Sequence, residues 1–286
     1  DALRKHPKVF DDLFINMIAA GEAGGILDTI LNRLATYLEK SMKLQRKVKG
    51  AMAYPAVVLF VSILVITLLL VKVVPVFQTI FAGMGKELPF LTQFLIDLSN
   101  FVTDNALYIV GALVAAIVLL VRFYKTDKGR YLFDRAILKP PVIGTLMRKV
   151  AIAKFTRTLS TMISSGVPIL DGLEITSRTA GNKIVEKALI ETRKNISEGK
   201  TIAEPLAATS VFPPMVVQMI AVGEATGSLD SMLNKIADFY DDEVETAVNA
   251  LTSMLEPLLM VFLGGVVGGM IVAMYLPIFQ LGSIVG

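Results

Sequence analysis

The residues with the clearest chemical potential form a motif, Gly-Glu-Ala-x-Gly-x-Leu-Asp, that occurs at residues 21–28 and again at 223–230. A carboxylate beside a tight turn could bind a metal ion, transfer a proton or contact a basic surface of another protein. No second acidic or imidazole ligand lies at a fixed spacing nearby, and the chain has one His and no Cys. The motif therefore indicates a structural corner or a protein contact rather than a metal or catalytic site.

In the first interpretation the motif is a packed corner between two helices. Gly21 is expected to end or kink the first helix, Gly25 to permit a sharp turn, and Asp28 to lie in the first turn of the next helix, where a negative charge is favoured. The side chains expected to pack that helix inward are Leu27, Ile30, Leu31 and Leu34. In the alternative interpretation the glutamates project outward and contact a partner protein. The candidate residues of the two corners are Gly21, Glu22, Gly25, Leu27, Asp28, Gly223, Glu224, Gly227, Leu229 and Asp230.

A run of acidic residues precedes the last apolar segment of the chain. Its members are Asp241, Asp242, Glu243 and Glu245. The run could hold a cation or a basic partner, but such a pattern is more typical of a solvated helix face. We therefore expect these carboxylates to face solvent.

Four glycines lie within the last apolar segment. Gly264, Gly265, Gly268 and Gly269 form two overlapping GxxxG patterns. A helix stripe without side chains lets another helix approach closely, so these glycines are candidates for helix packing in a membrane. A flexible or kinked span is the alternative interpretation.

The sequence lacks the signatures of nucleotide-dependent and metal-dependent enzymes. It has no phosphate-binding loop, no dinucleotide-binding glycine pattern, no His-Glu-x-x-His pair and no Gly-x-Ser-x-Gly elbow. We therefore predict no catalytic, cofactor-binding or metal-binding residue and no enzymatic activity. A net charge of +3 on 28 basic and 25 acidic residues is too small to indicate a nucleic-acid partner.

Three long uncharged segments determine the class of protein. The chain has 286 residues, of which 54% are apolar and 19% charged, and its mean hydropathy is +0.64. A bilayer core requires about 20 apolar residues in a helix. The segments predict an all-α polytopic protein with membrane spans at 51–74, 105–121 and 257–281.

The distribution of Lys and Arg predicts the orientation of these spans, because basic residues accumulate on the cytoplasmic side. They cluster before the first span and after the second, whereas the connection between those spans holds only Lys86. Lys72, near the outer end of the first span, is expected to snorkel to the interface, with a buried gating lysine as the alternative. The remaining segments are predicted as cytoplasmic at 1–50, 122–148 and 149–256, and as periplasmic at 75–104 and 282–286.

An internal repeat relates the two ends of the chain. Residues 10–80 align with 212–282 without a gap, and twenty of the seventy-one positions are identical. Helical spacing of the apolar residues predicts that each copy is a helical bundle that leads into a span of the same sense. The second copy is preceded by some sixty further bundle residues, so the domain at 1–50 is expected to be truncated at its front. Thr201-Ile-Ala-Glu204 predicts a capped helix start.

The two corner motifs, the SGVPILDGL stretch from Ser165, the parallel repeat and the three spans together resemble the type II secretion F family. Its members are the inner-membrane platform proteins of type II secretion systems and type IV pili. The resemblance covers essentially the whole chain. One difference lies in the second corner, where Thr226 and Ser228 replace Gly24 and Ile26, so the two corners are not expected to have identical roles.

The resemblance implies a non-enzymatic, oligomeric scaffold in the bacterial inner membrane, with a cytoplasmic N-terminus and a periplasmic C-terminus. The implied partners are a hexameric cytoplasmic assembly ATPase, pilin or pseudopilin subunits, other inner-membrane assembly proteins and membrane lipid. Motion of the ATPase would pass to the scaffold, which helps to lift subunits into a filament. A transporter or channel subunit is the alternative, but apart from Lys72 and the glycine stripe the spans lack the ionisable groups or broken helices expected of one.

Overall fold

The computed structural model describes residues 2–6, 9–82, 88–209 and 211–285, and all regular structure within these ranges is helical. The all-α prediction is confirmed. A 3₁₀ turn spans Leu3–Lys5, and a π-helical turn spans Leu69–Val73. The α-helices are α1 (Asp12–Gly24), α2 (Leu27–Leu68), α3 (Val74–Ala82), α4 (Phe90–Asp104), α5 (Ala106–Tyr124), α6 (Asp127–Ile137), α7 (Ile143–Ser164), α8 (Ile169–Thr179), α9 (Lys183–Ser197), α10 (Ala203–Ala207), α11 (Pro214–Thr226) and α12 (Leu229–Val285).

Three helical stretches are long and apolar enough to cross a membrane, as predicted. They are Leu27–Phe81, Ala106–Tyr124 and Leu229–Phe279, of 55, 19 and 51 residues. The first and third are far longer than the roughly 20 residues that a bilayer core requires. Each of them therefore joins a polar helical segment to an apolar span without a loop between them. Residues 83–87 of the predicted periplasmic connection and Gly286 of the predicted tail lie outside the described residues.

The chain divides into two compact units, of which the first contains residues 1–49 and 124–251. The segments that the repeat distinguishes as two bundles thus lie together in this unit. They share a core because burying apolar side chains from both segments removes them from water. The residues of this shared core are Leu13, Met17, Ile30, Leu34, Met162 and Ile175.

A glycine and an asparagine delimit two helices of the first unit. α8 ends just before Gly181, which has a positive φ of 77°, and α9 begins directly after its cap residue Asn182. The predicted capping box at Thr201 is wrong, because α10 begins after Ile202 without a side-chain cap. The backbone N–H of Ile202 instead donates to a carboxylate from another helix, Glu224.

The second unit contains residues 50–123 and 252–286, and its core is built around α4. One face of α4 presents Thr92, Leu95, Ile96 and Ser99 at helical spacing, and all four are buried. This face packs against the end of the first apolar stretch and against the third. The core residues are Leu70, Val74, Leu95, Ile96, Met270, Ala273 and Met274.

Two hydroxyl groups of α4 bond to backbone carbonyls that prolines leave without a helical partner. Pro277 has no N–H, so the carbonyl of Ala273, four residues earlier, receives a hydrogen bond from Thr92 Oγ1 instead. In the π turn the N–H of Val74 bonds to the carbonyl of Leu69, and the next donor would be Pro75. The freed carbonyl of Leu70 accepts from Ser99 Oγ. Ser and Thr side chains are known to satisfy such carbonyls within membranes.

Removing these hydroxyls should weaken the core of the second unit. Thr92→Val and Ser99→Ala each leave a buried carbonyl unpaired, which should cost about 1 kcal/mol apiece. Thermal unfolding in detergent, followed by circular dichroism, measures the loss. Thr67→Val is the matched control, because this exposed hydroxyl donates to Ile63 within its own regular helix. If all three variants melt at the same temperature, the carbonyls of Ala273 and Leu70 need no side-chain donor.

Two surfaces of the second unit have no packing partner within the described part of the chain. None of the residues of α5 is buried. A Cβ placed on any glycine of the stripe at Gly264, Gly265, Gly268 and Gly269 would have no neighbour within 4 Å.

Lys72 lies in the π turn with its side chain exposed, which fits the snorkelling interpretation and excludes a lysine buried within the chain.

Candidate functional site

Both copies of the motif form the same tight corner between helices. α1 ends at Gly24 and α11 at Thr226, and the following glycines, Gly25 and Gly227, have φ of 67° and 69°. Residues that carry a side chain rarely adopt this left-handed backbone conformation, so glycine is favoured there. The corner is thus the packed turn of the first interpretation, whether or not it also binds a partner.

The first glycine of each motif has a different role from the one expected. Gly21 and Gly223 neither end nor kink their helices but lie buried in the last turn. A Cβ on Gly21 would lie 2.8 Å from Ile30 Cγ1, and one on Gly223 would lie 3.0 Å from the Cα of Leu229. These glycines therefore allow the two helices of each corner to approach closely.

The start of the second helix of each corner is partly as predicted. Asp28 and Asp230 lie in the first turns of α2 and α12, where the exposed amides favour a negative charge. Leu27 and Leu31 were expected to pack inward, but they are exposed, whereas Ile30 and Leu34 are buried. The apolar face of this helix is narrower than its sequence suggests, because of these four residues only Ile30 and Leu34 belong to the shared core.

The two motif glutamates differ in their surroundings. Both carboxylate oxygens of Glu224 lie 3.0 Å from the backbone nitrogen of Ile202, so this side chain fastens α11 to the start of α10. Glu22 is exposed, and its carboxylate has no hydrogen-bond or ion-pair partner among the described residues. Only Glu22 is therefore free to contact another molecule.

A set of ion pairs, here called the charge ladder, joins α2 and α7 to α12 within the first unit. Its members are Lys40–Asp238 at 2.8 Å, Lys149–Glu243 at 2.6 Å, Lys47–Glu245, and Arg157 with both Asp238 and Asp241. Three of the four residues of the acidic run form ion pairs, but the expectation of a solvated face is wrong only for Asp241 and Glu243, which are half-buried, whereas Glu245 is paired and still exposed. Asp242 alone is exposed without an ion pair among the described residues.

Arg157 is the centre of the charge ladder. Its side chain is only 8% exposed. Nη1 donates to Asn234 Oδ1 at 2.8 Å, and Nη2 donates to Asp238 Oδ1 at 2.8 Å and Asp241 Oδ2 at 2.6 Å. A planar guanidinium can bind several acceptors at once, which a lysine ammonium does less well. Arg157 therefore fixes α7 against successive turns of α12.

The ladder lowers the pKa of two carboxyl groups. Burial opposes ionisation of Asp238, but hydrogen bonds from Lys40 and Arg157 and the attraction of both cations outweigh it, so the pKa of Asp238 lies below its ordinary value. The hydrogen bond and charge of Lys47 lower the pKa of Glu245. Both groups are therefore ionised at neutral pH.

Sequence reasoning missed Arg157, although a signal for the ladder was available. In the aligned repeat, basic residues of the first copy stand opposite acidic residues of the second, as at Lys40 and Asp242 or Lys43 and Glu245. Two similar helices with opposite charges are expected to pair side by side. Arg157 itself lies outside the repeated segment.

Within the described residues there is no group of three or more His, Asp or Glu side chains that could hold a metal ion. The corners and the ladder position helices, and Glu22, α5 and the glycine stripe are the surfaces available for partners.

Comparison with known proteins relates the whole chain to one family. The family model for type II secretion system (T2SS), protein F matches residues 1–75 and 155–277. A type IV pilus assembly protein PilC of Myxococcus xanthus is 58% identical over 283 residues, which are 99% of this chain and 68% of that protein. The protein of the same name from Pseudomonas aeruginosa is 44% identical, with 100% of this chain and 77% of that protein covered.

A second group of relatives carries the secretion name. The type II secretion system protein F of Vibrio cholerae is 37% identical over 99% of this chain and 70% of its own length. Each segment matched by the family model contains one copy of the corner motif. The chain belongs to the type II secretion system protein F family.

Proposed function

We propose that this protein is the inner-membrane platform of a type IV pilus or type II secretion machine. In this role it transmits motion of a hexameric cytoplasmic assembly ATPase to pilin or pseudopilin subunits, which leave the bilayer and join a filament. The protein itself catalyses no reaction. The names of its relatives support a part in pilus assembly or secretion, and the partners belong to the proposal.

The observation that carries the proposal is the continuity of α12. This helix runs from Leu229 to Val285, beginning at a corner and containing the third apolar stretch. Pro257 and Pro277 each remove one i to i−4 hydrogen bond, but the helix continues through both of them. Because a continuous helix is stiff, we expect a displacement at its polar end to move its apolar end as well. A protein that transmits force across a membrane surface requires such an element.

The proposed orientation follows from charge. The basic residues that flank the first and second spans support a cytoplasmic first unit and N-terminus and a periplasmic C-terminus. The open glycine stripe supports association between copies or with other inner-membrane assembly proteins, because a helix can approach it closely. Pilin subunits and membrane lipid are the proposed neighbours of the unburied α5.

The proposal is tested by removal of the protein and by co-purification. Cells that lack it should make no filaments and should retain their pilin or pseudopilin in the inner membrane. The protein purified in detergent should retain the assembly ATPase in a pull-down. Normal filaments in the deleted cells, or no retention of the ATPase, would contradict the platform function.

The two glutamates of the corners provide a matched pair of variants. Glu22→Lys should weaken retention of the ATPase without a change in melting temperature, because this carboxylate has no described partner. Glu224→Lys should lower the free energy of unfolding by about 1–3 kcal/mol, because the N–H of Ile202 loses a charged acceptor. Retention of the ATPase by Glu22→Lys at the wild-type level would exclude the first corner as its contact.

A further inference from the structure

The short helix α6 presents an unusual face. Lys128, Leu132 and Arg135 are exposed at the spacing of one helix stripe, and Phe133 beside them is also exposed. Leu132 and Phe133 are 54% and 52% exposed, which is costly for large apolar side chains in water. Among the described residues neither Lys128 nor Arg135 forms an ion pair. The face thus combines uncovered apolar area with unpaired positive charge.

The opposite face of α6 is anchored within the first unit. Asp134 is 4% exposed, and its Oδ2 accepts from the backbone N–H of Lys183 at 2.7 Å, at the start of α9. The side chain of Asn182 donates to the carbonyl of Asp134 at 3.3 Å. These bonds fix the rotation of α6, so the stripe with Leu132 points away from the bundle.

The position of α6 along the chain brings this stripe close to a bilayer. The apolar helix α5 ends at Tyr124, and α6 begins at Asp127, only two residues later. The rings of Tyr124, the last residue of α5, and Phe133, in the second half of α6, meet edge to face with centroids 5.2 Å apart. Aromatic residues at the end of a span commonly lie at the level of the lipid headgroups.

The positive charge of the neighbouring residues complements the negative charge of anionic lipid. The segment from 122 to 139 carries six basic residues, namely Arg122, Lys125, Lys128, Arg130, Arg135 and Lys139, against Asp127 and Asp134. Asp134 is occupied by its bonds to α9. Each basic residue near a negatively charged membrane surface contributes about 1 kcal/mol of attraction.

We propose that α6 is an interfacial helix, which inserts Leu132 and Phe133 among the acyl chains and binds anionic phospholipid headgroups with Lys128, Arg135 and their basic neighbours. Helices of this kind lie in the plane of the interface with the apolar face buried by several ångströms. Because the other face of α6 is bonded to α9, this contact would also mount the first unit on the membrane surface. The inference requires α5 to span the membrane but not the proposed link to an ATPase.

A single tryptophan tests the proposal in the full chain. The sequence contains no Trp, so Leu132→Trp introduces the only indole. The protein is reconstituted into vesicles of phosphatidylcholine, with or without phosphatidylglycerol, and with lipids brominated on their acyl chains. We expect emission at short wavelength and a loss of roughly half of the intensity with brominated lipid, stronger when phosphatidylglycerol is present. Because both leaflets of these vesicles have the same composition, α6 meets the same lipids in either orientation of the inserted protein.

Ile190→Trp is the matched control, because Ile190 on α9 is exposed to a similar extent, 51%. Its indole should emit as in water and should not be quenched. Charge reversal by Lys128→Glu and Arg135→Glu, added to Leu132→Trp, should remove the effect of phosphatidylglycerol, while circular dichroism shows an intact fold.

Three results would overturn the proposal. Emission of the indole at position 132 as in water would mean that the stripe faces solvent. Emission at short wavelength without quenching would mean that protein covers it. Quenching that changes neither with phosphatidylglycerol nor with charge reversal would exclude recognition of anionic lipid.

Discussion

Replacing Arg157 by methionine should lower the free energy of unfolding of the first unit by about 2 kcal/mol. The guanidinium makes three hydrogen bonds to α12, and methionine keeps the packing of its stem but none of these bonds. Breaking a fully buried pair costs more, roughly 3–5 kcal/mol. The cost is smaller here because the Asp238 side chain is 52% exposed and water partly replaces the lost cation. Thermal unfolding in detergent measures the difference.

Two other variants isolate the cause of this loss. Arg157→Lys keeps the charge, but one ammonium group cannot meet all three acceptors in their positions, so we expect an intermediate stability. Arg178→Met removes an arginine that is 62% exposed and pairs with Asp12 and Glu174, and it should change stability by less than about 0.5 kcal/mol. If Arg157→Met melts at the same temperature as Arg178→Met, the charge ladder does not stabilise the fold.

The effect of Arg157→Met should also depend on pH. A carboxyl group whose pKa is lowered by folding stabilises the folded state above its unfolded pKa, and this contribution is lost as the pH falls through the folded value. Asp238 is such a group, with an ordinary value of 3.8. The difference between wild type and variant should therefore be full at neutral pH and should shrink below about pH 4.

Features set by local composition could be predicted from the sequence. The three apolar stretches, the positive-φ glycines at 25 and 227 and the bounds of α9 all follow from properties of a few consecutive residues. Hydrophobic length, glycine in a left-handed turn and an Asn cap at residue 182 act within their own segment. Such signals do not depend on how distant parts of the chain meet.

Features set by distant contacts could not be predicted in this way. Lys40 and Asp238 are 198 positions apart, and nothing in the acidic run itself shows that a basic helix will lie beside it. The capping box failed for a similar reason, because the carboxylate of Glu224 competes for the N–H of Ile202. Gly21 looked like a helix end, but its environment is Ile30 of the next helix.

The prolines illustrate the intermediate case. The repeat places Pro75 and Pro277 at equivalent positions, and the loss of a backbone donor at each follows from the sequence alone. The donors that replace it, Ser99 and Thr92, lie on a helix that has no counterpart in the repeat. Sequence therefore predicts that each proline frees one carbonyl, whereas only the structure shows that the π turn makes it Leu70 rather than Val71 at Pro75, and identifies the replacement donors.

Softening α12 between the two units should abolish filament assembly while leaving both units folded. The variant replaces Asn249, Ala250, Ser253 and Met254 by glycine, all of which are exposed, so no core contact is removed. Each glycine costs about 1 kcal/mol of helix stability relative to alanine, or roughly 4 kcal/mol in all. Filament counts by electron microscopy, in cells whose own copy is deleted, measure the outcome.

The matched control carries alanine at the same four positions. It loses the same side chains but keeps a stiff helix, so it should assemble filaments at a level close to the wild type. The two helices that join the units, α2 and α12, differ at the unit boundary. Gly50 lies there in α2, whereas the equivalent position of α12 is Thr252. Helix α2 therefore already contains a flexible residue at a position where α12 does not. Transmission should therefore depend on α12. Normal filaments with the glycine variant would mean that the units act without a rigid connection, and the proposed transfer of motion through this helix would have to be abandoned.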